Sequence, residues 1–256
     1  MLVPSSMLHP QHLIIPDWPA PSRIKAFFTT RAGGVSTDAY ATLNLGAHVG
    51  DAPEDVAENR IRLRTLLPST PVWLNQVHGS NVFLADQIAL TTHGAVEADA
   101  SVSNQTNVPC AVLVADCLPV LFCSADGSCV GVAHAGWRGL NRGVLEATVA
   151  ALNVSPANII AWLGPAIGPG AFEVGADVFD AFTTASPEDA SVFQPIAGQR
   201  GKYLADIYEL ARRRLQRAGV QAIFGGKFCT VSEPARFFSY RRDGKTGRMA
   251  AVIWRE

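Results

Sequence analysis

The chain has 256 residues, 48% of them hydrophobic and 17% charged, with a formal net charge of −1. This composition supports a large folded core and excludes a disordered chain. Without a long basic run it gives no footing to a nucleic-acid or membrane-surface role.

The N-terminal stretch MLVPSSMLHPQHLIIPDW lacks a basic leader and an unbroken apolar segment, so it does not read as a signal peptide. No apolar run reaches the roughly 20 residues of a bilayer span. Five cysteines, an odd number without a CxxC pair, argue against a disulfide framework and for a reducing, cytoplasmic setting. Residues 1–22 are Pro-rich and expected to be irregular. Residues 24–30, IKAFFTT, alternate as a strand, and RAGGVST then turns with Gly33 and Gly34 free to take positive φ. Pro53 opens a helix at its favoured first position, with Val56, Arg60, Leu63 and Leu67 at helical spacing.

PVWLNQVHG and SNVFLAD are expected to be strands around a turn, and 110–134 carries the strongest β pattern. A helix over 140–152 follows, with Val144, Leu145, Thr148 and Leu152 on one face. IIAWL is a buried strand ending in the loop GPAIGPG, and 186–200 is expected to be a polar loop. Asp206 caps IYELARRRLQRAG and Gly219 stops it. FFSYRRDGKTGRMAAVIW reads as a hairpin around DGKTG. Strands in runs with few helices between them predict an α+β fold with mixed sheets.

The chemistry concentrates around CVGVAHAGWRG. Asp126-Gly127 between apolar strands signals a two-residue type I′ hairpin turn. Cross-strand partners then sum to 253, Pro119 faces His134, and Cys117 lies diagonal to His134 on the same face. A one-residue slip would separate them. Cysteine and neutral histidine are zinc ligands, and a catalytic zinc takes three protein ligands. His78 of QVHG is the best third ligand and His48 the second choice. The same pair suits a thiol hydrolase, or a structural role. Cys110, Cys123 and Cys129 read as core; His9, His12 and His93 as solvated. Arg31, Arg138, Arg241 and Arg242 sit at edges of apolar elements, where several can converge on an anion. Arg212, Arg213 and Arg214 lie mid-helix and read as an exposed face. GPAIGPG lacks GxGxxG spacing, GKT lacks the first glycine of a phosphate loop, and no GxSxG elbow occurs.

Together TTRAGGVS, LNLGAHVGD, ENR, WLNQVHG, ADCLPVLF, AHAGWRG, WLGPAIGP, FEVG, YLADI and FFSYRRDGKTGRMA resemble the bacterial laccase-domain family. That family was first called multicopper polyphenol oxidase, later purine nucleoside phosphorylase or peptidoglycan editing factor. The resemblance runs from about residue 12 to the C-terminus. It implies one domain over 1–256, an α/β/β/α sandwich, and a zinc site of His78, Cys117 and His134, with copper as the alternative metal. It implies phosphorolysis of adenosine, inosine and S-methyl-5′-thioadenosine and hydrolytic deamination of adenosine, with purine nucleosides and phosphate as partners; the chain is expected to be a monomer.

For deamination, zinc lowers the pKa of the water that attacks C6 of the purine. Asp116 and Asp99 are the candidate proton carriers. For phosphorolysis, Arg31, Arg138 and Arg241 are the candidate phosphate ligands. Asn44 and Gln76 join Arg31 and Arg241 as candidate substrate-binding residues. Two alternatives stand beside this reading: a copper-dependent polyphenol oxidase, poorly served by so few placed histidines, and a cysteine hydrolase acting on cell-wall precursors.

Overall fold

A computed structural model describes residues 8–90 and 96–256; His93 lies outside them. The strands are β1 (Leu13–Ile14), β2 (Ile24–Thr29), β3 (Val82–Leu84), β4 (Ala100–Ser103), β5 (Cys110–Val114), β6 (Leu118–Ser124) and β7 (Val130–Ala135). After them come β8 (Ile159–Leu163), β9 (Glu173–Gly175), β10 (Phe193–Pro195), β11 (Lys202–Ala205), β12 (Ala222–Gly225) and β13 (Met249–Arg255). The helices are α1 (Pro53–Arg64), α2 (Trp137–Asn141), α3 (Val144–Ala151), α4 (Ala176–Thr183), α5 (Ile207–Arg217) and α6 (Tyr240–Asp243).

Two sheets form the body. One is antiparallel, in the order β1-β2-β13-β5; the other is mixed, in the order β12-β8-β6-β7-β4-β3. Side-chain parity explains how they stack, because successive residues of a strand point to opposite faces. Val112 and Val114 of β5 and Ala251 and Ile253 of β13 meet Leu121, Val132 and Trp162 of the second sheet in one apolar cluster. The alternate residues of β6, β7 and β8, among them Phe122, Ala133 and Leu163, meet Val144, Leu145, Leu210 and Leu215 of α3 and α5. On the far side, Leu113, Val252 and Trp254 pack against Leu63, Leu67, Leu43 and Leu45. The layers are therefore helix, sheet, sheet, helix, in a mixed α+β single domain. With both faces of these strands buried, the sequence reads as near-continuous apolar runs, each large side chain contributing roughly 1.5–3 kcal/mol. Among the described residues no helix is long and apolar enough to cross a membrane.

Several local expectations are corrected. Residues 71–79 form no strand; Asn75 makes one isolated bridge to Glu97. The 140–152 helix is two, because Gly143 takes φ +90° between α2 and α3. The 186–200 loop holds a 3-10 turn over Pro187–Val192 and then β10. The C-terminal stretch is no hairpin: Ser239 caps α6 by accepting from Arg242 N, and β13 joins β2 and β5. Leu13 and Ile14 form an edge strand rather than irregular chain. Of the RAGGVST glycines only Gly33 takes positive φ; Gly34 is needed for space, since a Cβ there would lie 2.1 Å from Thr42 O. Arg212, Arg213 and Arg214 are half-buried and engaged: Arg212 donates to Gly225 O, Arg213 pairs with Glu209 and Asp189, and Arg214 with Glu146. Asp206 caps α5 by accepting from Tyr208 N and Glu209 N, as expected.

The segment from Arg31 to His48 is bound to α1 by Arg60 and Arg62, which donate to Leu45 O and Gly33 O, and by one buried amide. Asn59 accepts from Val35 N (2.9 Å) and donates to Ser36 Oγ (2.9 Å) and Asn44 O (2.9 Å). Unmade buried hydrogen bonds cost about 1–3 kcal/mol each. Asn59→Ala is expected to lower stability by at least about 2 kcal/mol, read as the shift of a urea unfolding curve with unchanged slope.

Candidate metal centre

The hairpin register holds. Leu118 pairs with Ala135 and Pro119 with His134, so partners sum to 253. The turn type does not: Gly127 takes φ +70° but Asp126 keeps a negative φ. Ser124 and Cys129 close a longer loop through Ser124 N to Cys129 O (3.1 Å). Asp126 Oδ1 and Ser124 Oγ both accept from Ser128 N, giving that loop its own internal bonds. Register survives because a wider loop on the same axis leaves the pairing unchanged.

Parity sends His134 and Cys117 toward the seam between the sheets, at its end. Cys117 lies where the chain leaves β5 in one sheet and enters β6 in the other, across Ala115, Asp116 and Cys117. His78 comes from the segment before β3 and carries φ +59°. The three ligand atoms lie within 4.8 Å of one another, with Cys117 Sγ 3.6 Å from His78 Nε2. The imidazole rings stand edge to face, centroids 4.8 Å apart. Among the described residues this is the one group of three or more His, Cys, Asp or Glu side chains placed to hold a metal ion. Two imidazoles and a thiolate suit zinc and leave room for a fourth ligand; nitrogen and sulfur donors also suit copper.

Asp99, fully buried, organises the group. Its carboxylate accepts from His134 Nδ1 (2.8 Å), Val77 N (3.2 Å), His78 N (2.9 Å) and Gly79 N (2.6 Å). That bond fixes a hydrogen on His134 Nδ1 and turns Nε2 toward Cys117. Burial works against the Asp99 charge, but His134 and the backbone donors outweigh it and hold its pKa below the ordinary value. Burial likewise opposes the Cys117 thiolate, yet His134 and His78 bring the thiol down to about 6; in return burial opposes the His134 cation, while Cys117 and Asp99 raise it to about 9.

Both glycines of GWRG work by being small. A Cβ on Gly136 would lie 2.8 Å from Cys117 Sγ and 2.8 Å from His78 Cδ2; one on Gly139 would lie 2.9 Å from Gly79 O. GWRG is thus the start of α2, pressed onto the ligands.

The cluster faces a cavity of about 510 Å³, within the roughly 300–1,000 Å³ range of small-molecule sites. Ile167, Phe172, Ile207 and Trp137 give it apolar lining; Gln76, His48, Arg138, Arg241 and Arg248 give it polar lining. Arg138 is exposed and stacks on Trp137 (4.5 Å); Arg241 is exposed and donates to Ala171 O and Glu173 O. Gln76 clamps β5 by donating to Leu113 O and accepting from Leu113 N (both 2.8 Å).

Three expected site residues are held by the protein's own hydrogen bonds. Arg31 donates to Ala41 O and Pro234 O and stacks on Phe238, away from the cavity lining. Asn44 is fully buried and bonds to Gly46, Asp51 and Arg248 N. Asp116 lines the cavity, but φ +87° turns its carboxylate to Thr230 Oγ1 (2.5 Å), Ser239 Oγ (3.1 Å) and Arg241 N (2.6 Å). Arg242 donates to Thr230 O, Val231 O and Phe237 O and has no part in the lining. Arg248 was not singled out from the sequence. Its signal was only its place one residue before an apolar strand.

Residues 25–256 match the family described as multi-copper polyphenol oxidoreductase laccase. The chain belongs to this family. A Pseudomonas aeruginosa relative named purine nucleoside phosphorylase is 54% identical over 241 residues, covering 94% of this chain and 97% of that one. An Escherichia coli K12 relative, purine nucleoside phosphorylase YfiH, is 54% identical over 245 residues, covering 94% and 98%. Among solved structures, a Neisseria meningitidis protein, NMB0706, superposes with a TM-score of 0.90 at 53% identity, covering 96% and 99%. YlmD from Geobacillus stearothermophilus does so at 0.87 and 33%, covering 98% of each chain.

The thiol chemistry is directly readable. In chelator-treated protein, iodoacetamide is expected to modify Cys117 with a rate half-maximal near pH 6, since the thiolate is the nucleophile and its fraction rises above the pKa. Cys110 and Cys123, pushed up to about 12 by burial, are expected to stay unmodified at pH 7. Peptide mass mapping reads each site. Gly136→Ala is expected to cut zinc affinity at least about tenfold by displacing two ligands, measured by chelator competition on folded protein.

Proposed function

We propose that this protein is a zinc-dependent purine nucleoside phosphorylase of the laccase-domain family, acting on adenosine, inosine and S-methyl-5′-thioadenosine. The observation that carries the reading is the convergence of His78, Cys117 and His134 on the wall of a cavity with apolar and cationic lining. Relatives at 54% identity carry the phosphorylase name. The site is proposed as one domain's own, over residues 1–256, working as a monomer. The five free cysteines fit a reducing, cytoplasmic setting.

A zinc ion in this donor set supplies a Lewis-acidic position that polarises a substrate oxygen or water. The chain supplies the rest. Trp137, Phe172, Ile167 and Ile207 offer the purine an apolar bed. Arg138 and Arg241 place positive charge at the cavity for an anionic co-substrate. In the reaction an oxygen of hydrogen phosphate bonds to C1′ as the C1′–N9 pair departs on the purine. The phosphate's proton ends on the base, leaving ribose 1-phosphate and free purine. Asp99 contributes by holding His134 and the 77–79 backbone, and Asp116 by holding the Cys117 corner.

Adenosine deamination at the same site is the finer part of the proposal. It needs a proton carrier for the departing ammonia, and both Asp99 and Asp116 are already engaged by protein donors. A cysteine hydrolase acting on cell-wall precursors is the second reading, favoured by the lowered thiol and the His134–Asp99 pair. A copper oxidase would have to work from this one three-donor group among the described residues.

Zinc-loaded protein incubated with adenosine and phosphate is expected to release adenine, and inosine by deamination, in a chromatographic assay. Chelation and Cys117→Ala are each expected to lower the rate at least about 100-fold without unfolding the chain. Activity surviving chelation but not alkylation of Cys117 would turn the assignment to the hydrolase.

A further inference from the structure

We propose that Arg248, with His48 beside it, is the seat of the phosphate, and that Asn44 and Gly46 are positioning residues that aim its guanidinium. The identity of the anion rests on the phosphorylase reading above; the anion site rests on geometry.

Met249 pairs with Val114, which sets Arg248 one residue beyond the ladder, opposite Ala115 and two residues from Cys117. Its backbone is clipped on both sides. Arg248 N donates to Asn44 Oδ1 (2.9 Å), and Arg248 O accepts from Leu45 N (3.1 Å). The Asn44 amide is itself fixed, accepting from Gly46 N (2.9 Å) and donating to Asp51 Oδ2 (2.9 Å). A Cβ on Gly46 would lie 2.7 Å from Arg248 Cγ, so the arginine stem runs across the bare glycine. This is a built position for one side chain.

Its guanidinium is only partly used. Nη1 donates to the carbonyls of Thr246 (3.0 Å) and Gly247 (3.1 Å). Among the described residues Nε and Nη2 meet no acceptor. These two form the side-on fork of arginine, two parallel donors matched to two oxygens of one oxoanion. Arg248 is half-buried and lines the cavity. Arg138 and Arg241 are exposed, and the Arg241 side chain is drawn to carbonyls. His48 lines the same cavity and comes from the segment that holds Arg248. Burial, then Arg248 and Arg60, hold His48 below its usual 6.5, so near pH 7 it is neutral and offers one N–H. A fork at fixed height plus one neutral donor recognises a tetrahedral anion without adding a second repelling cation.

Titration calorimetry with inorganic phosphate on the zinc-loaded full chain tests the site. Arg248→Gln is expected to weaken phosphate binding at least about tenfold, and Arg248→Lys, a charge without the fork, by an intermediate factor. In the adenosine assay Arg248→Gln is expected to raise KM for phosphate at least about tenfold while KM for adenosine moves less than about threefold. Asn44→Ala is expected to raise KM for phosphate with zinc affinity unchanged, a split that general loosening of the fold would not give. Phosphate binding equal to wild type in a folded Arg248→Gln or Arg248→Lys protein overturns the site, as does absence of phosphate binding by wild type at millimolar concentration. If adenine forms but these constants do not move, the site falls and the phosphorylase reading stands. If phosphate binds through Arg248 and no adenine forms, the reading falls and the anion site stands.

Discussion

One buried carboxylate orders the candidate centre. Asp99 has no exposed surface, so its charge needs donors to offset desolvation, and it finds four. Three are backbone N–H groups of residues 77–79, which bend the chain so that His78, at φ +59°, turns inward. The fourth is His134 Nδ1, which leaves Nε2 for a metal. Two candidate ligands far apart in sequence are thus aimed by a single side chain outside the donor group.

Asp116 does the equivalent work beside Cys117. Its φ of +87° is a conformation costing a non-glycine residue on the order of 1 kcal/mol. Three donors, two of them hydroxyls of the fully buried Thr230 and Ser239, offset that cost. Both carboxylates are thus engaged by protein donors on each side of the candidate centre.

Much of this was legible in the sequence, and the pattern of success is physical. The Cys117–His134 relation followed from strand parity and one turn signal, and it tolerated the wrong turn type because register depends on which residues close the loop. The sheets were legible because two-sided burial writes long apolar runs. His78 led His48 as third-ligand candidate and the resemblance favoured it, but its position depends on Asp99 and on a positive φ that no residue type there announces. Arg248 is not legible from the sequence because its placement comes from Asn44 and Gly46, some 200 residues earlier. Motif density alone does not separate a residue that contacts a ligand from one that braces its neighbour, and Arg31 and Asn44 both have protein partners outside the cavity lining. The C-terminal hairpin failed for a related reason: DGKTG resembles a turn, but β13 takes both its partners, β2 and β5, from earlier in the chain.

The passage of the chain from β5 to β6 has a mechanical meaning. In three residues the backbone leaves one sheet and joins the other, so the layers are stitched together at the end of the seam where Cys117 sits. A longer connection would let the sheets shear past each other. This one is too short to stretch and is pinned at Asp116. The thiol therefore sits at the point where the two layers are covalently joined. Part of the rest of the cavity wall comes from α5, α6 and the loop after β8, and α6 is tied to the same corner by Arg241 N donating to Asp116.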